Sequence, residues 1–166
     1  MAKLSQLVIL FAGALSLLSL CATASGPKFI VEGQVFCEVC RANFINRLSE
    51  PMPGAKVRLE CRGEDKGNIT LSLEGVTNDK GVYQLPVEGD HGTESCEVLL
   101  VKSSKPDCDV IPSEGWAGKP SSRVTITTNN GFHGQTRQAN PLGFTRKVAL
   151  PQCKELFKEL ELTQDS

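Results

Sequence analysis

Residues 32–41 read EGQVFCEVCR and place two cysteines, Cys37 and Cys40, three positions apart. A Cys-x-x-Cys pair can be a redox dithiol, half of a zinc site, or two halves of separate structural disulfides. The choice among these three decides whether the chain is an oxidoreductase, a metal protein or a disulfide scaffold.

The N-terminus has the features of a secretory signal peptide. Lys3 gives a positive start, an apolar run covers residues 7–20, and Ala22 and Ala24 stand at the small-residue positions of a cleavage site. The apolar run is shorter than the roughly 20 residues that span a bilayer, which favours cleavage over a membrane anchor. We therefore expect a secreted protein, in the extracellular space or the cell wall, without a membrane span in the mature chain.

Removal of residues 1–24 would leave one β domain, residues 25–166, which is long enough for a single hydrophobic core. It would also remove Cys21 and leave an even number of cysteines in an oxidising compartment, which favours three disulfides. The six remaining cysteines are Cys37, Cys40, Cys61, Cys96, Cys108 and Cys153.

The charge balance excludes two classes of partner. The chain has 18 Lys and Arg against 19 Asp and Glu, and Lys3 is the only charged residue of the removed segment, which leaves 17 against 19. Neither a basic stripe nor an acidic tail is present, so we expect no nucleic-acid partner and no binding to an anionic membrane.

Alternation of apolar and polar residues predicts about seven short strands. These are residues 28–36, 55–61, 69–76, 82–87, 96–102, 123–128 and 144–150. Strands of this length separated by turn residues are typical of an all-β fold, an antiparallel sandwich or barrel. Two long loops are predicted, over residues 103–121 and 129–143.

The last segment predicts a short helix. Pro151 suits a first helical position, and Cys153, Leu156, Phe157 and Leu160 recur at the spacing of one buried helical face. A cysteine on that face would attach the helix to the sheet.

The strand pattern bears on the Cys-x-x-Cys pair. If the first strand stays extended through Cys40, then Cys37 and Cys40 point to opposite faces and cannot bond to each other. A redox pair would need a helix N-terminus after it, and a zinc site would need a second close pair of ligands. Neither feature is evident in the sequence, so the interpretation as a disulfide scaffold is favoured. Six cysteines allow 15 pairings, and spacing alone does not choose among them. Strand geometry gives one hint: Cys61 ends one predicted strand and Cys96 begins another, so these two could pair across neighbouring strands.

Residues 32–41 closely resemble the signature of the Ole e I family, the olive-pollen major allergen and its relatives among secreted plant proteins. The usual form of that signature is E-G-x-V-Y-C-D-T-C-R, and this chain departs from it by Phe36, Glu38 and Val39. The resemblance extends over the mature chain and its six cysteines. It continues through residues 54–61, 74–91, 96–109 and 139–144.

The resemblance implies a seven-stranded β-barrel or sandwich with three disulfides. The family's pairing, carried over by cysteine order, is Cys37–Cys108, Cys40–Cys153 and Cys61–Cys96. Members are secreted, often abundant in pollen and implicated in pollen-tube growth or signalling, and several are allergens. No catalytic activity is established for the fold, so the resemblance implies a protein that is not an enzyme. We also expect no cofactor and no metal.

We therefore expect a non-enzymatic protein that acts by extracellular binding in pollen-tube or other cell growth. Its partner would be an extracellular protein such as a receptor-kinase ectodomain, or a cell-wall component. One alternative is a cell-wall carbohydrate-binding module, although the chain has only one Trp and one Tyr. A less favoured alternative is a thiol–disulfide oxidoreductase that uses Cys37 and Cys40.

Three further residues are candidates for modification or binding. Asn68 begins an Asn-Ile-Thr sequon next to a turn, which favours N-glycosylation over an unmodified asparagine. Trp116 and Phe132 lie in the two long predicted loops. Such aromatics can bind a partner or a sugar, or they can simply cover the end of the core.

Two other motifs favour ordinary loops over chemistry. His91 lies near acidic residues and Ser95, but the segment lacks the rigid nucleophile turn of a hydrolase. Residues 78–81, NDKG, lack the carboxylate pattern of a calcium loop and predict a hairpin turn.

Overall fold

The computed structural model describes residues 26–65, 67–112 and 121–161. The predicted signal peptide and Trp116 lie outside these ranges. Within them the elements are β1 (Lys28–Glu38), β2 (Glu50–Pro51), β3 (Lys56–Arg62), β4 (Ile69–Val76), β5 (Val82–Glu88), β6 (Ser95–Lys102), β7 (Ser121–Val124), β8 (Thr136–Gln138), β9 (Leu142–Thr145) and α1 (Cys153–Glu159). The all-β prediction with a short C-terminal helix is confirmed.

The strands form two sheets. One has the order β4-β3-β6-β7, with antiparallel neighbours throughout. The other is built around β1, whose first half pairs with β5 and β8 and whose second half pairs with β2 and β9. β1 is therefore the strand that connects the greatest number of segments.

The β1 sheet is mixed rather than purely antiparallel. β8 and β9 both run parallel to β1, whereas β2 and β5 run antiparallel to it. β8 lies inside the predicted loop of residues 129–143, and its central residue, Arg137, is buried. A three-residue strand with a charged centre gives no apolar alternation, which is why the sequence pattern predicted a loop there.

The core lies between the sheets and includes the only tyrosine of the chain, Tyr83. Its side chain crosses Gly33 of β1, where an added Cβ would overlap the hydroxyl group. The hydroxyl has no hydrogen-bond partner within the described residues, and burial raises the pKa of Tyr83 above its ordinary value. Gly33 is therefore required for close packing rather than for a special backbone angle.

The helix is shorter than the sequence pattern predicted. Cys153, Leu156 and Phe157 are buried as expected. Pro151 lies in the turn before the helix, and Leu160 follows its last residue and is 44% exposed. The two outer positions of the prediction are wrong because the helix has only seven residues. Among the described residues, no helix combines the length and the apolar character that a membrane crossing needs.

Candidate functional site

Three disulfides connect the described cysteines. Cys37 is bonded to Cys108, Cys40 to Cys153 and Cys61 to Cys96, with Cα–Cα distances of 6.0, 5.3 and 4.0 Å. These are the pairs that the family resemblance implies. All six side chains are buried, with at most 3% of the surface of any of them exposed. The oxidised protein therefore presents no thiolate nucleophile at Cys37 or Cys40.

Glu38 directs the chain between the first two bridges. β1 ends at this residue, so the extended path assumed through Cys40 is absent. The Glu38 carboxylate is 2% exposed and accepts hydrogen bonds from the backbone N–H groups of Cys40 and Ala42, both at 2.8 Å. Nδ2 of Asn46 lies 3.4 Å from the same carboxylate. Glu38 thereby folds the loop back so that Cys40 reaches α1.

Arg41, the last residue of the motif, attaches this loop to the segment after β9. Its guanidinium donates to the backbone carbonyls of Arg146 and Lys147, at 3.0 and 3.4 Å. Its own backbone has a φ of 59°, in the left-handed region. We found no sequence signal for the roles of Glu38 and Arg41, beyond their position beside the cysteines.

A second region lies at the opposite end of β1 and contains the sequence-predicted Phe132. The guanidinium carbon of Arg137 lies 4.6 Å from the ring centre of Phe29 and 4.9 Å from that of Phe132. Arg137 is 5% exposed, whereas Phe132 is 54% exposed. We call Phe29, Arg137 and Phe132 the aromatic–arginine stack.

The buried charge of Arg137 is balanced without a carboxylate. None of the ion pairs found among the described residues includes Arg137. Its Nη2 donates to the carbonyl of Thr127 at 2.6 Å, and its Nη1 donates to the carbonyl of Gly134. Cation–π contacts and carbonyl dipoles therefore stabilise the guanidinium. The same contacts hold the surrounding loop against Arg137.

The Phe132 ring packs against its own loop. A Cβ on Gly134 would lie 2.7 Å from the ring, so only glycine permits this contact without displacement. The N–H of Phe132 donates to Oδ1 of Asn130 at 3.1 Å. One side of the ring therefore contacts the protein, and the rest remains exposed.

Asp90 connects this loop to the turn after β5. Its carboxylate accepts the N–H of Thr128 at 3.1 Å, the N–H of Gly92 at 2.9 Å and the hydroxyl of Thr127 at 2.9 Å. These hydrogen bonds lower the pKa of Asp90 below its ordinary value and outweigh the opposing effect of burial. The loop that presents Phe132 is therefore attached to the sheet by polar contacts and by the stack, without a disulfide of its own.

His91 belongs to a structural network. Its Nδ1 lies 3.0 Å from Oε2 of Glu94, and that carboxylate also accepts the Thr70 hydroxyl. Burial raises the pKa of Glu94, but the hydrogen bonds from Thr70 and His91 outweigh it and lower the pKa overall. The carboxylate thus lies between a histidine and a strand hydroxyl, in a role that stabilises the turn.

One potential metal cluster is found among the described residues: Cys61, Glu94 and Cys96. Both sulfur atoms of that cluster are used in a disulfide, so two of the three ligand atoms are not available as thiolates. The group therefore does not form a metal centre in the oxidised protein.

Asn68 is exposed, immediately before the edge strand β4. Ile69 pairs with Arg62, and the Thr70 hydroxyl donates to the carbonyl of Cys61 at 3.0 Å. The asparagine is accessible, whereas the rest of the sequon is already part of the sheet.

Comparisons with known proteins place this geometry among pollen proteins. A family model described as "Pollen protein Ole e 1 like" matches residues 27–161. The chain is 43% identical over 163 residues to the "Olee1-like protein" of Betula pendula, covering 98% of each chain. It is 47% identical over 133 residues to "Major pollen allergen Lig v 1" of Ligustrum vulgare, covering 80% of this chain and 89% of that protein.

A solved structure has the same fold. The crystal structure of the major plantain pollen allergen Pla l 1 matches with a TM-score of 0.70 and 43% sequence identity. The match covers 76% of this chain and 99% of that one.

Proposed function

The chain belongs to the pollen Ole e 1-like family, and from that premise we propose that it is a secreted, non-enzymatic protein that acts by extracellular binding in pollen-tube or other cell growth and signalling. The observation that carries the proposal is the half-exposed ring of Phe132, fixed over the buried guanidinium of Arg137. A rigid aromatic side chain that contacts the protein on one side is a typical hot spot of a binding surface.

Preorganisation supports a binding role for Phe132. A side chain that is ordered before association loses little conformational entropy when a partner binds. The stack and the contact with Gly134 position this ring in the free protein, and the hydrogen bond from the Phe132 N–H to Oδ1 of Asn130 holds its backbone. Exposure of a large apolar side chain is unfavourable in isolation, and a partner that covers it would recover that free energy.

The cysteines support a scaffold role over redox chemistry. A disulfide oxidoreductase needs an accessible sulfur with a stabilised thiolate. In this protein Cys37 and Cys40 are each 1% exposed and are bonded to different distant segments. A non-reducing peptide map with thiol counting tests this point: we expect no titratable thiol in the native protein, and a reactive thiol at Cys37 or Cys40 would contradict it.

The partner we propose is an extracellular protein, such as a receptor-kinase ectodomain. Carbohydrate binding commonly uses several aromatic side chains on one surface, and Phe132 is the only aromatic side chain more than half exposed among the described residues. We therefore place a cell-wall polysaccharide second.

A paired binding assay separates these partners. We propose to test Phe132→Ala against a panel of receptor-kinase ectodomains and against arrays of wall polysaccharides. The matched control is Ile45→Ala, because Ile45 is 51% exposed and lies in the loop attached to α1 rather than beside the stack. Loss of ectodomain binding in Phe132→Ala alone is expected. Binding to polysaccharide alone would favour the wall module, and equal binding by both variants and the parent would contradict the assignment of the site.

Two remaining residues belong to this proposal. Trp116 is a second candidate contact, to be tested by Trp116→Ala in the same assay. Asn68 is proposed to carry an N-glycan, because it is exposed next to an edge strand. Glycosidase treatment of the secreted protein, with Asn68→Gln as the control, would show a mass loss only in the parent if the glycan is present.

A further inference from the structure

The loop that presents Phe132 contains a reactive dipeptide, Asn130-Gly131. The chain has seven asparagines, and Asn130 is the only one followed by glycine. Both residues are exposed, and a Cβ placed on Gly131 would have no atom within 4 Å. The backbone at this point is therefore free of steric hindrance from the rest of the protein.

The side chain of Asn130 is folded back over its own loop. Oδ1 of Asn130 accepts the N–H of Phe132 at 3.1 Å, which is an Asx-turn. Such a turn folds the side-chain amide over the peptide segment that follows it. Gly131 has a φ of +76°, and its N–H donates no hydrogen bond within the described residues. The nitrogen is therefore not restrained by an acceptor of its own.

We propose that Asn130 is a site of spontaneous deamidation. The backbone nitrogen of Gly131 attacks Cγ of Asn130 and forms a new C–N bond. The bond from Cγ to the side-chain nitrogen breaks, and that nitrogen leaves as ammonia with the proton of the Gly131 amide. Water then opens the resulting cyclic imide at either carbonyl, which yields aspartate or isoaspartate without any change of oxidation state.

The product alters the surface that carries Phe132. Both products replace a neutral amide by a carboxylate, and isoaspartate also adds a methylene group to the main chain between Thr128 and Phe132. The added atom disrupts the Asx-turn and displaces the ring from Arg137. This consequence rests on the proposed function, because it predicts that binding through Phe132 declines as the protein ages, whereas the deamidation itself does not depend on a partner.

The chemistry is tested on the purified, disulfide-bonded protein. We propose incubation in mildly alkaline buffer, followed by peptide mapping and by labelling with an isoaspartyl methyltransferase. Deamidation at Asn130 is expected to be several-fold faster than at any other asparagine. Asn130→Gln should remove the signal, and the matched variant Asn129→Gln should keep it.

The role of the folded geometry is tested by comparing the native protein with the urea-unfolded, reduced chain. A native rate equal to or above the unfolded rate supports the proposal. A native rate far below it, or no conversion at Asn130 in the native protein, overturns the proposal because the fold would then protect the site.

The effect on the surface has its own measurement. Aged parent protein should lose ectodomain binding in parallel with its isoaspartate content. Parent protein kept for the same time in mildly acidic buffer, where attack by the Gly131 nitrogen is slow, should retain it. Conversion at Asn130 with unchanged binding would overturn only the link to Phe132. Absence of binding by fresh protein would contradict the proposed function and leave the measured deamidation unaffected.

Discussion

The two ends of β1 hold their loops by different chemistry. At one end Cys37 and the nearby Cys40 bond covalently to segments distant in the sequence. At the other end Phe29 contacts Arg137, and the loop there is held by cation–π contacts and hydrogen bonds alone. Phe29 and Cys37 are separated by about 26 Å along an extended strand.

The difference indicates a division of labour. Covalent bonds at the disulfide end fix the fold, because they restrict the unfolded chain more than the folded one. The arginine end carries the most exposed aromatic side chain of the described residues, Phe132. No disulfide closes its loop, so noncovalent contacts alone hold this side chain in place before a partner binds.

The largest effect is expected at the disulfide end. Removal of one bridge by Cys40→Ser with Cys153→Ser should destabilise the protein by about 5 kcal/mol, since the closed loop spans 113 residues. The bridge between Cys61 and Cys96 spans 35 residues, and its removal should destabilise the protein by about 4 kcal/mol. Urea unfolding under non-reducing conditions measures both. If removal of the longer bridge lowered the free energy of unfolding by less than about 1 kcal/mol, the disulfide end would not be the end that fixes the fold.

Arg137→Ala should give the next largest loss, about 3 kcal/mol, because it removes two cation–π contacts and takes its donor from the buried carbonyl of Thr127. The same unfolding experiment measures it. Arg123→Ala on β7 is the matched control, since Arg123 is exposed. Its effect should stay within about 0.5 kcal/mol. Equal effects of the two substitutions would show that the stack does not stabilise its end.

Glu38→Ala should cost about 2 kcal/mol, because the N–H groups of Cys40 and Ala42 lose their buried acceptor. Glu64→Ala, at an exposed turn position, serves as the control. Hydrogen exchange would show faster exchange at the amides of Cys40 and Ala42 in the first variant only. Unchanged protection at both amides would mean that the disulfide alone orders this loop.

The smallest effect is a pH dependence at the arginine end. The pKa of Asp90 is lower in the folded protein than in the unfolded chain, so its carboxylate stabilises the fold above about pH 4. That contribution is lost as the pH falls through the lowered pKa. Asp90→Asn should therefore be less stable than the parent at neutral pH and should converge with it in acid. Urea midpoints measured across the acid range check this, and a constant difference at all pH values would contradict it.

The disulfide end could largely be anticipated from sequence. The signature at residues 32–41 identified the family, and the alternation of apolar residues predicted the main strands. The family signature and the strand prediction both rest on local sequence patterns, which can be recognised without knowledge of the fold. Glu38 was missed because a buried carboxylate depends on how the following loop folds back to supply its two donors.

The arginine end could be anticipated only in part. Phe132 was identified as an aromatic side chain in a predicted loop, but its orientation depends on Arg137, which gave no apolar signal. Burial of this arginine requires Phe29 and Phe132 to meet around it, and these rings are far apart in the sequence. The spacing of apolar residues along the chain cannot reveal such a long-range contact.

The exposure of Leu160 was missed for a simpler reason. The spacing of apolar residues predicts which helix face is buried, but the helix ends where its contacts with the sheet end.

The single tyrosine, packed against Gly33, makes the core an optical reporter of alkaline unfolding. Because burial raises the pKa of Tyr83, the folded protein retains the phenol proton at a pH where the unfolded chain would release it. Ionisation of this phenol therefore leaves the stability of the fold unchanged below the ordinary tyrosine pKa of about 10 and reduces it as the pH rises towards the raised value. The phenolate absorbance of this protein therefore develops with the loss of the sandwich, and a single spectrum gives the population of open core.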